Sequence, residues 1–447
     1  MVRLFCFTPL LLLMAACEKQ QPAVASPDHE LIVHCGTLID GLTDAPFQDR
    51  LIVIRNERIA AILPGNDPTY SDADVLKLHR HTCLPGLIDT HVHLDSLPDD
   101  AKDYRIYLRR TPADTARLAE QLAEIVLNEG FTTIRHVGAY MDRIDRNVKT
   151  RIEAGEITGP RIQVAGPYLT IPHGGGDMYI PGIDDSEIPD YFRRGVARGP
   201  EEFRARAKQL VADGAEFLKV IASGAVFSHS SDPGGPEMTR EEIAAVVAVA
   251  DAAGIKVTAH AHSAESIKDA ILAGVSSIEH ASLGDDESIA LALQHNVALS
   301  MDVYNGTYTE DVGVEDGYAD EFMEKNTLTT EAQRIFFEKA VAAGVTILFG
   351  TDLGVLPHDM GSHQFEVMVE RGMSPMQAIM SATSVAADHM GVSANVGAIA
   401  VGRYGDLVAV PGNPLQDIGL LQKVEVVVKG GSVVRSTEPT TMRVRIK

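Results

Sequence analysis

The middle of the chain, about residues 84–390, repeats one unit: a helix-period stretch that ends near a glycine, followed by a short apolar run. Read in order, the runs are LPGLIDTHVH, FTTIRHV, RIQVAG, FLKVIAS, KVTAHAH, SSIEHAS, VALSMDV and TILFGTD. Their lead-ins include NEG before Phe131, DGAE before Phe217, AAG before Ile255, LAG before Val275 and AAG before Val345. Short apolar runs between helical patterns read as buried parallel strands in βαβ units. Eight such units over roughly 300 residues match an α/β fold of the (β/α)8 TIM-barrel type in count and size. A doubly wound open sheet is the alternative. No GxGxxG follows the first strand, so a dinucleotide-binding fold has little support.

Both ends of the chain read differently. Residues 31–81 and the stretch GAIAVGRYGDLVAV…VEVVVKGGSVVR alternate β-branched with polar residues between turn formers, as half-buried strands do. The simplest geometry pairs the two ends into one small β domain beside the central one. Residues 1–16 read as a secretory signal: Arg3, then an apolar run through Leu10, Leu11, Leu12 and Leu13 that is too short to span a bilayer. The run closes on Met14-Ala15-Ala16-Cys17, which resembles a bacterial lipobox and makes Cys17 the expected lipidation site, with residues 17–30 as a polar linker. That reading places the protein in a bacterial cell envelope, periplasmic or membrane-anchored through the lipid. Such a compartment permits a disulfide between Cys35 and Cys83; two buried thiols are the other reading. The balance of 39 basic against 62 acidic side chains, net −23, disfavours nucleic acid as a partner.

The chemistry-bearing residues track the strand ends. His91 and His93 close the first run, His136 the second, Lys219 lies in the fourth, His260 and His262 close the fifth, His280 the sixth and Asp352 the eighth. In barrels of this type chemistry gathers at the C-terminal ends of strands. Residues i and i+2 of a strand share a face, so His91 and His93 project together, as two imidazoles on one metal require. Imidazole and carboxylate donors suit zinc and other divalent first-row metals. Lys219, flanked by Phe217, Leu218, Val220 and Ile221, puts an ammonium where burial is costly unless it is paired or chemically changed.

Taken together, PGLIDTHVHLD (residues 85–95), the lysine of FLKVIASG, AHAH, SIEHAS and FGTD resemble the amidohydrolase superfamily. The resemblance is to its prolidase-like and imidazolonepropionase-like branch, which includes Xaa-Pro dipeptidases and ochratoxin-type amidases, and it covers residues 31–435. It implies residues 31–83 and 396–447 as the two parts of a β-sandwich around a barrel of residues 84–395. It implies two divalent ions, zinc foremost: His91, His93 and Asp352 on the more buried one, His260 and His280 on the more exposed one, and an N-carboxylated Lys219 bridging both. The first histidine of AHAH aligns with the family ligand, which leaves His262 for substrate contact. Asp352 is the implied proton shuttle. Candidate substrate contacts are His173 in the glycine-rich loop after the third strand, Tyr304 at the end of the seventh, and Arg135 and His136 at the end of the second.

The implied reaction is cleavage of an amide or peptide bond next to a C-terminal amino acid, in a small peptide or an N-acyl amino acid. Ring opening of a cyclic amide on the same metals is an alternative. A catalytically inactive, lipid-anchored binding protein is another, against which the retention of both Lys219 and Asp352 argues. Relatives often form homo-oligomers, which makes a homo-oligomer possible here, but no interface signature stands out in this sequence.

Overall fold

The computed structural model describes residues 30–71, 73–229 and 231–437. The expected signal, residues 1–16, the lipidation site Cys17 and the linker up to residue 29 lie outside the described residues. Among the described residues, no helix is long and apolar enough to cross a membrane.

The N-terminal strands are β1 (Glu30–Leu38), β2 (Phe47–Arg55), β3 (Arg58–Pro64) and β4 (Leu76–Pro85). Eight central strands follow: β5 (Leu87–Val92), β6 (Phe131–His136), β7 (Arg161–Val164), β8 (Phe217–Ile221), β9 (Lys256–Ser263), β10 (Ser277–Leu283), β11 (Ala298–Ser300) and β12 (Ile347–Leu348). The chain ends with β13 (Leu407–Pro411), β14 (Val426–Lys429) and β15 (Ser432–Ser436).

The eight central strands are the eight runs of the sequence, and every pairing among them is parallel. They hydrogen-bond in chain order as β5-β6-β7 and as β8 to β12. Backbone hydrogen bonds also join the free edges of the two groups. Between β7 and β8, Glu216 N–H donates to Val164 O at 2.8 Å and Leu169 N–H to Lys219 O at 2.9 Å. Between β12 and β5, Thr90 N–H donates to Phe349 O and Asp352 N–H to His91 O, both at 2.9 Å.

The glycines that punctuate the lead-ins end helices. Gly254, Gly274 and Gly344 take the left-handed conformation at the C-caps of helices Arg240–Ala253, Ala264–Ala273 and Asp320–Ala343, where a side chain would be strained. Capping boxes at Thr111 and Thr239 start helices Pro112–Asn128 and Arg240–Ala253. One large apolar cluster joins the inner faces of the helices to the outer faces of the strands. Phe131, Phe349 and Phe365 stack in series within it, with centroids 5.7 and 4.2 Å apart.

The two chain ends do meet, as expected, but in one sheet. Its order is β15-β14-β13-β4-β1-β2-β3, so β4 joins N-terminal to C-terminal strands through the antiparallel β4–β13 pair. A sandwich of two separate sheets was expected; the hydrogen bonding instead runs through seven strands without a break. The sheet curls, so that Arg58 at the start of β3 bridges Tyr404, just before β13. The curl encloses one apolar cluster that includes Val33, Ile54, Leu78, Leu407 and Val428. A continuous curled sheet buries the same alternating residues as a sandwich would, and alternation alone does not tell the two apart.

Cys35 and Cys83 are bonded as a disulfide across β1 and β4, with Cα atoms 5.9 Å apart. The bridge closes a loop spanning 48 residues. Loop-closure entropy of that size is worth about 4 kcal/mol. Replacing both cysteines by serine is expected to weaken the β domain by about 2–4 kcal/mol. Thermal melts with and without reductant check this: the wild type should drop on reduction to the level of the variant, and the variant should not respond.

Candidate metal centre

The C-terminal ends of the central strands carry the expected side chains into one place. His91 and His93 leave the end of β5, Lys219 lies in β8, His260 and His262 in β9 and His280 in β10. Asp352 follows β12. Three donor groups form there: His91 with His93 and Asp352, His260 with His262 and His280, and His280 with Asp302 and Asp352. Within each group the candidate ligand atoms lie within 4.8 Å of one another. A cavity of about 160 Å³ opens over them, walled by Tyr104, Tyr107, Tyr140, Tyr168 and Phe227. A larger void, about 520 Å³, lies between the strand starts and the β domain and contains none of these donors.

Two of the donors sit in strained backbone. His280 has φ +69° and Asp352 φ +59°, in the left-handed region that side chains disfavour. Such conformations persist where the surroundings over-determine them. At Asp352 the N–H is held by His91 O, and the carboxylate lies 3.4 Å from His91 Nε2 and 3.2 Å from His93 Nε2.

A second layer of hydrogen bonds turns each imidazole. His91 Nδ1 donates to Glu279 at 2.8 Å, His93 Nδ1 to Gly138 O at 2.9 Å and His280 Nδ1 to Asp302 at 3.0 Å. His260 Nε2 donates to Gly224 O at 3.1 Å, and His262 Nδ1 pairs with the Ser282 hydroxyl at 2.9 Å. In every case one ring nitrogen is tied down and the other is left for a ligand, the arrangement that fixes tautomer and basicity in metal sites. Glu279 is fully buried and also accepts from Arg135 at 2.7 Å and from the Thr258 hydroxyl. Gln333 and Asn305 donate to Asp302, at 2.8 and 3.1 Å.

Electrostatics favour the ligand forms. Burial drives His91 down to about 4, His262 to about 3 and His260 well below the ordinary value, so all three are neutral imidazoles at pH 7. His280 is different: burial lowers it, but the Asp302 and Asp352 carboxylates together outweigh burial and raise it. Burial pushes Asp352 up, yet His91, His93 and His280 outweigh that and keep it ionised. Lys219 is 2 % exposed, its Nζ has no hydrogen-bond partner, and burial lowers it to about 8. Its charge acts on His91, His260, His262 and His280 alike. An orphaned buried amine among neutral imidazoles and a carboxylate is a donor set that fits divalent cations.

Four of the expected substrate contacts are not in the cavity wall. Arg135 is buried under the site, held by Glu279 and by Thr90 O at 2.7 Å, because a guanidinium inside a strand needs a carboxylate. His136 is fully buried and its Nε2 accepts from Leu94 N–H at 3.0 Å. His173 pairs with Asp185 at 3.0 Å on the outer side of its loop, although Gly175 and Gly176 of the same loop line the cavity. Tyr304 stacks flat on His363 as a packing aromatic. His262 does line the cavity, beside His260 and His280. Sequence reasoning missed Asp302 and Glu279. Asp302 stands two residues past β11, so the strand-end rule that found the others also points to it. Glu279 immediately precedes His280 and is buried among side chains of other strands, and nothing in its local pattern marks it.

Clusters of imidazoles and carboxylates at the ends of parallel strands define a metal-binding hydrolase centre, and the chain belongs to the Amidohydrolase family, which it matches over residues 82–434. More particularly, it falls in the prolidase- and ochratoxinase-like branch and is a hydrolase acting on amide bonds. It is 29% identical to ochratoxinase from Aspergillus niger over 453 residues, covering 94% of this chain and 90% of that protein. The crystal structure of a Xaa-Pro dipeptidase with methionine bound in its active site superposes with a TM-score of 0.84 at 33% identity, covering 90% of this chain and 99% of that one. The crystal structure of A. niger ochratoxinase gives 0.79 at 28% identity, covering 92% and 96%.

Glu279→Gln keeps the volume of the side chain but removes the charge that orders His91 and Arg135. Metal affinity is expected to fall about 10–100-fold. Chelator competition with elemental analysis of the retained metal checks this; unchanged affinity would remove Glu279 from the support of the site.

Proposed function

We propose that this protein is a binuclear metal-dependent hydrolase built on a (β/α)8 barrel closed through the two seams described above. It cleaves an amide or peptide bond beside a C-terminal amino acid, as a dipeptidase, carboxypeptidase or N-acyl-amino-acid amidohydrolase. The observation that carries this reading is the pair of donor triads, His91/His93/Asp352 and His260/His262/His280, around the buried and partnerless amine of Lys219. The methionine in the active site of the similar Xaa-Pro dipeptidase supports an amino acid as the released product.

Lys219 is suited to carboxylation. With its amine lowered to about 8, far more of it is uncharged near neutrality than of an ordinary lysine, and that neutral form can add CO2, which releases a proton and leaves an anionic carbamate. The carbamate would offer anionic oxygens as cation ligands in place of a buried ammonium. When bound, two divalent ions, with zinc the expected metal, bring the pKa of a water toward neutrality and polarise the scissile carbonyl.

The residues of the chain do the rest. Asp352 stays ionised beside His91 and His93 and accepts the proton of the attacking water at a carboxylate oxygen. Asn305 Nδ2, 3.3 Å from Asp352 Oδ2, holds that carboxylate in line. Asp352 then returns the proton to the leaving nitrogen, which an amide requires because its anion is a very poor leaving group. His262 lines the cavity beside His260 and His280 and is the member of that triad assigned to substrate contact. With Arg135 locked beneath the site, a substrate carboxylate meets hydroxyl and backbone donors of the wall instead of a guanidinium. We place the enzyme in the cell envelope, tethered through Cys17.

Two equivalents of metal per chain are expected from elemental analysis; one or none contradicts the two-ion reading. Asp352→Asn is expected to lower kcat about 10²–10⁴-fold on the best substrate of a dipeptide and N-acyl-amino-acid panel, with metal retained. Turnover equal to wild type would remove Asp352 as the proton carrier. Ring opening with no release of free amino acid would overturn the substrate class.

A further inference from the structure

Two loops complete the cavity wall beside the tyrosines, and one carboxylate joins them. The glycine-rich loop at residues 173–177 contributes Gly175 and Gly176, and the loop at residues 223–236, after β8, contributes Ala225, Val226 and Phe227. Glu237 ends the second loop, anchored by its N–H to Ala222 O at 2.8 Å. Its carboxylate accepts from Gly175 N–H with both oxygens, at 3.1 and 2.8 Å. It also accepts from the Ser231 hydroxyl at 2.6 Å, and the Ser231 oxygen accepts from Ala225 N–H at 2.9 Å. Glu237 therefore holds one wall residue of the first loop directly and one of its own loop through Ser231.

The loops fit closely because the first lacks side chains. A Cβ on Gly174 would stand 2.6 Å from Glu237 Oε2, one on Gly175 2.9 Å from the Ala225 Cβ, and one on Gly176 2.7 Å from Ile221 Cγ1. The second loop also reaches the centre: Gly224 O is the acceptor that turns His260. The same loop is also held by the Tyr104 hydroxyl on Phe227 O and by Lys325 Nζ on Ser228 O at 2.6 Å.

We propose that Glu237 is a positioning residue that clips the glycine-rich loop onto the loop after β8 and so sets the substrate-facing wall of the cavity. This rests on the hydrolase reading above only for what the wall receives; the clip itself is a property of the fold. The group sits where clip strength responds to pH. Burial lifts its carboxyl to about 7, against the opposing Ser231 and Gly175 hydrogen bonds and the Lys325 ammonium on helix Asp320–Ala343. The glycine-rich loop meets it with backbone and its own loop with a hydroxyl. A carboxyl whose pKa is higher when clipped than in water is clipped more firmly when protonated, so closure strengthens on the acid side of 7 and relaxes above it.

Hydrogen exchange of the metal-loaded protein, read by mass spectrometry on peptides covering residues 170–180 and 222–232, tests the clip without any substrate. Glu237→Ala is expected to speed exchange of both peptides about tenfold, the loss of a hydrogen-bonded buried carboxylate, while metal content stays at the wild-type value. Glu237→Gln, neutral and of the same shape, is expected to restore slow exchange and to remove its dependence on pH between 6 and 8.5 after correction for intrinsic rates. With the best amide of the panel, Glu237→Ala should raise KM about tenfold and leave kcat within twofold. Wild-type exchange in Glu237→Ala, or Glu237→Gln as loose as Glu237→Ala, would overturn the clip. Should Glu237→Ala not fold, Ser231→Ala carries the test: it should loosen residues 222–232 alone, and no change there also overturns it. Loss of exchange protection without a KM effect would leave the clip standing and count against the amide substrates instead.

Discussion

Everything at the metal centre hangs on a carboxylate that never reaches it. Glu279 lies wholly inside the strands, and from β10 it binds His91 on β5, Arg135 on β6 and Thr258 on β9. A lone carboxylate there would be prohibitively costly, and burial alone pushes it toward the neutral form. Arg135 and His91 outweigh burial and hold it ionised well below the usual carboxylate range. Each member makes the others tolerable: the guanidinium needs the carboxylate, the carboxylate needs its donors, and His91 gains a fixed ring. The result is a rigid polar core in which the direction of a ligand nitrogen is set by side chains on three other strands.

The same logic recurs with different partners around the site. Asp302 turns His280, Gly138 O turns His93 and Gly224 O turns His260. Backbone acceptors and buried acids alternate in this role, and the strained backbone at His280 and Asp352 is held by the network. Above this fixed floor the wall is assembled from loops, with Tyr104, Lys325 and Glu237 each tying the loop after β8 to a different neighbour. A rigid floor and a tied but adjustable wall divide chemistry from selection.

What the sequence disclosed follows from what is local. Strand-end position and i, i+2 spacing located His91, His93, Lys219, His260, His280 and Asp352, because parallel strands side by side convert those local features into one shared direction. Arg135 and His136 share the strand-end position but point into the interior, and only the three-dimensional partner, Glu279 for one and Leu94 N–H for the other, shows it. His173 sits on a loop whose glycines face inward while its ring faces Asp185 outside. Alternation gave the β segments at both ends, but how many sheets they make depends on pairings between residues more than 300 apart, such as Val408 with Leu84. The cysteine pair was open between thiols and a bridge until the fold set the two Cα atoms 5.9 Å apart across β1 and β4.

The β domain is shared between the first and last parts of the chain, and that has a consequence for biosynthesis. When β4 leaves the ribosome its neighbour β1 is already made, but its other neighbour, β13, follows more than 300 residues later. At ordinary elongation speeds this interval is on the order of tens of seconds. Throughout it, the edge of β4 that will pair with Leu407–Pro411 stands open beside a nascent barrel, a template for mispairing with other chains. The Cys35–Cys83 bridge lies entirely on the early side of that gap, so once the chain is in an oxidising compartment it can weld β1 to β4 independently of the late strands and give them a finished edge on which to dock.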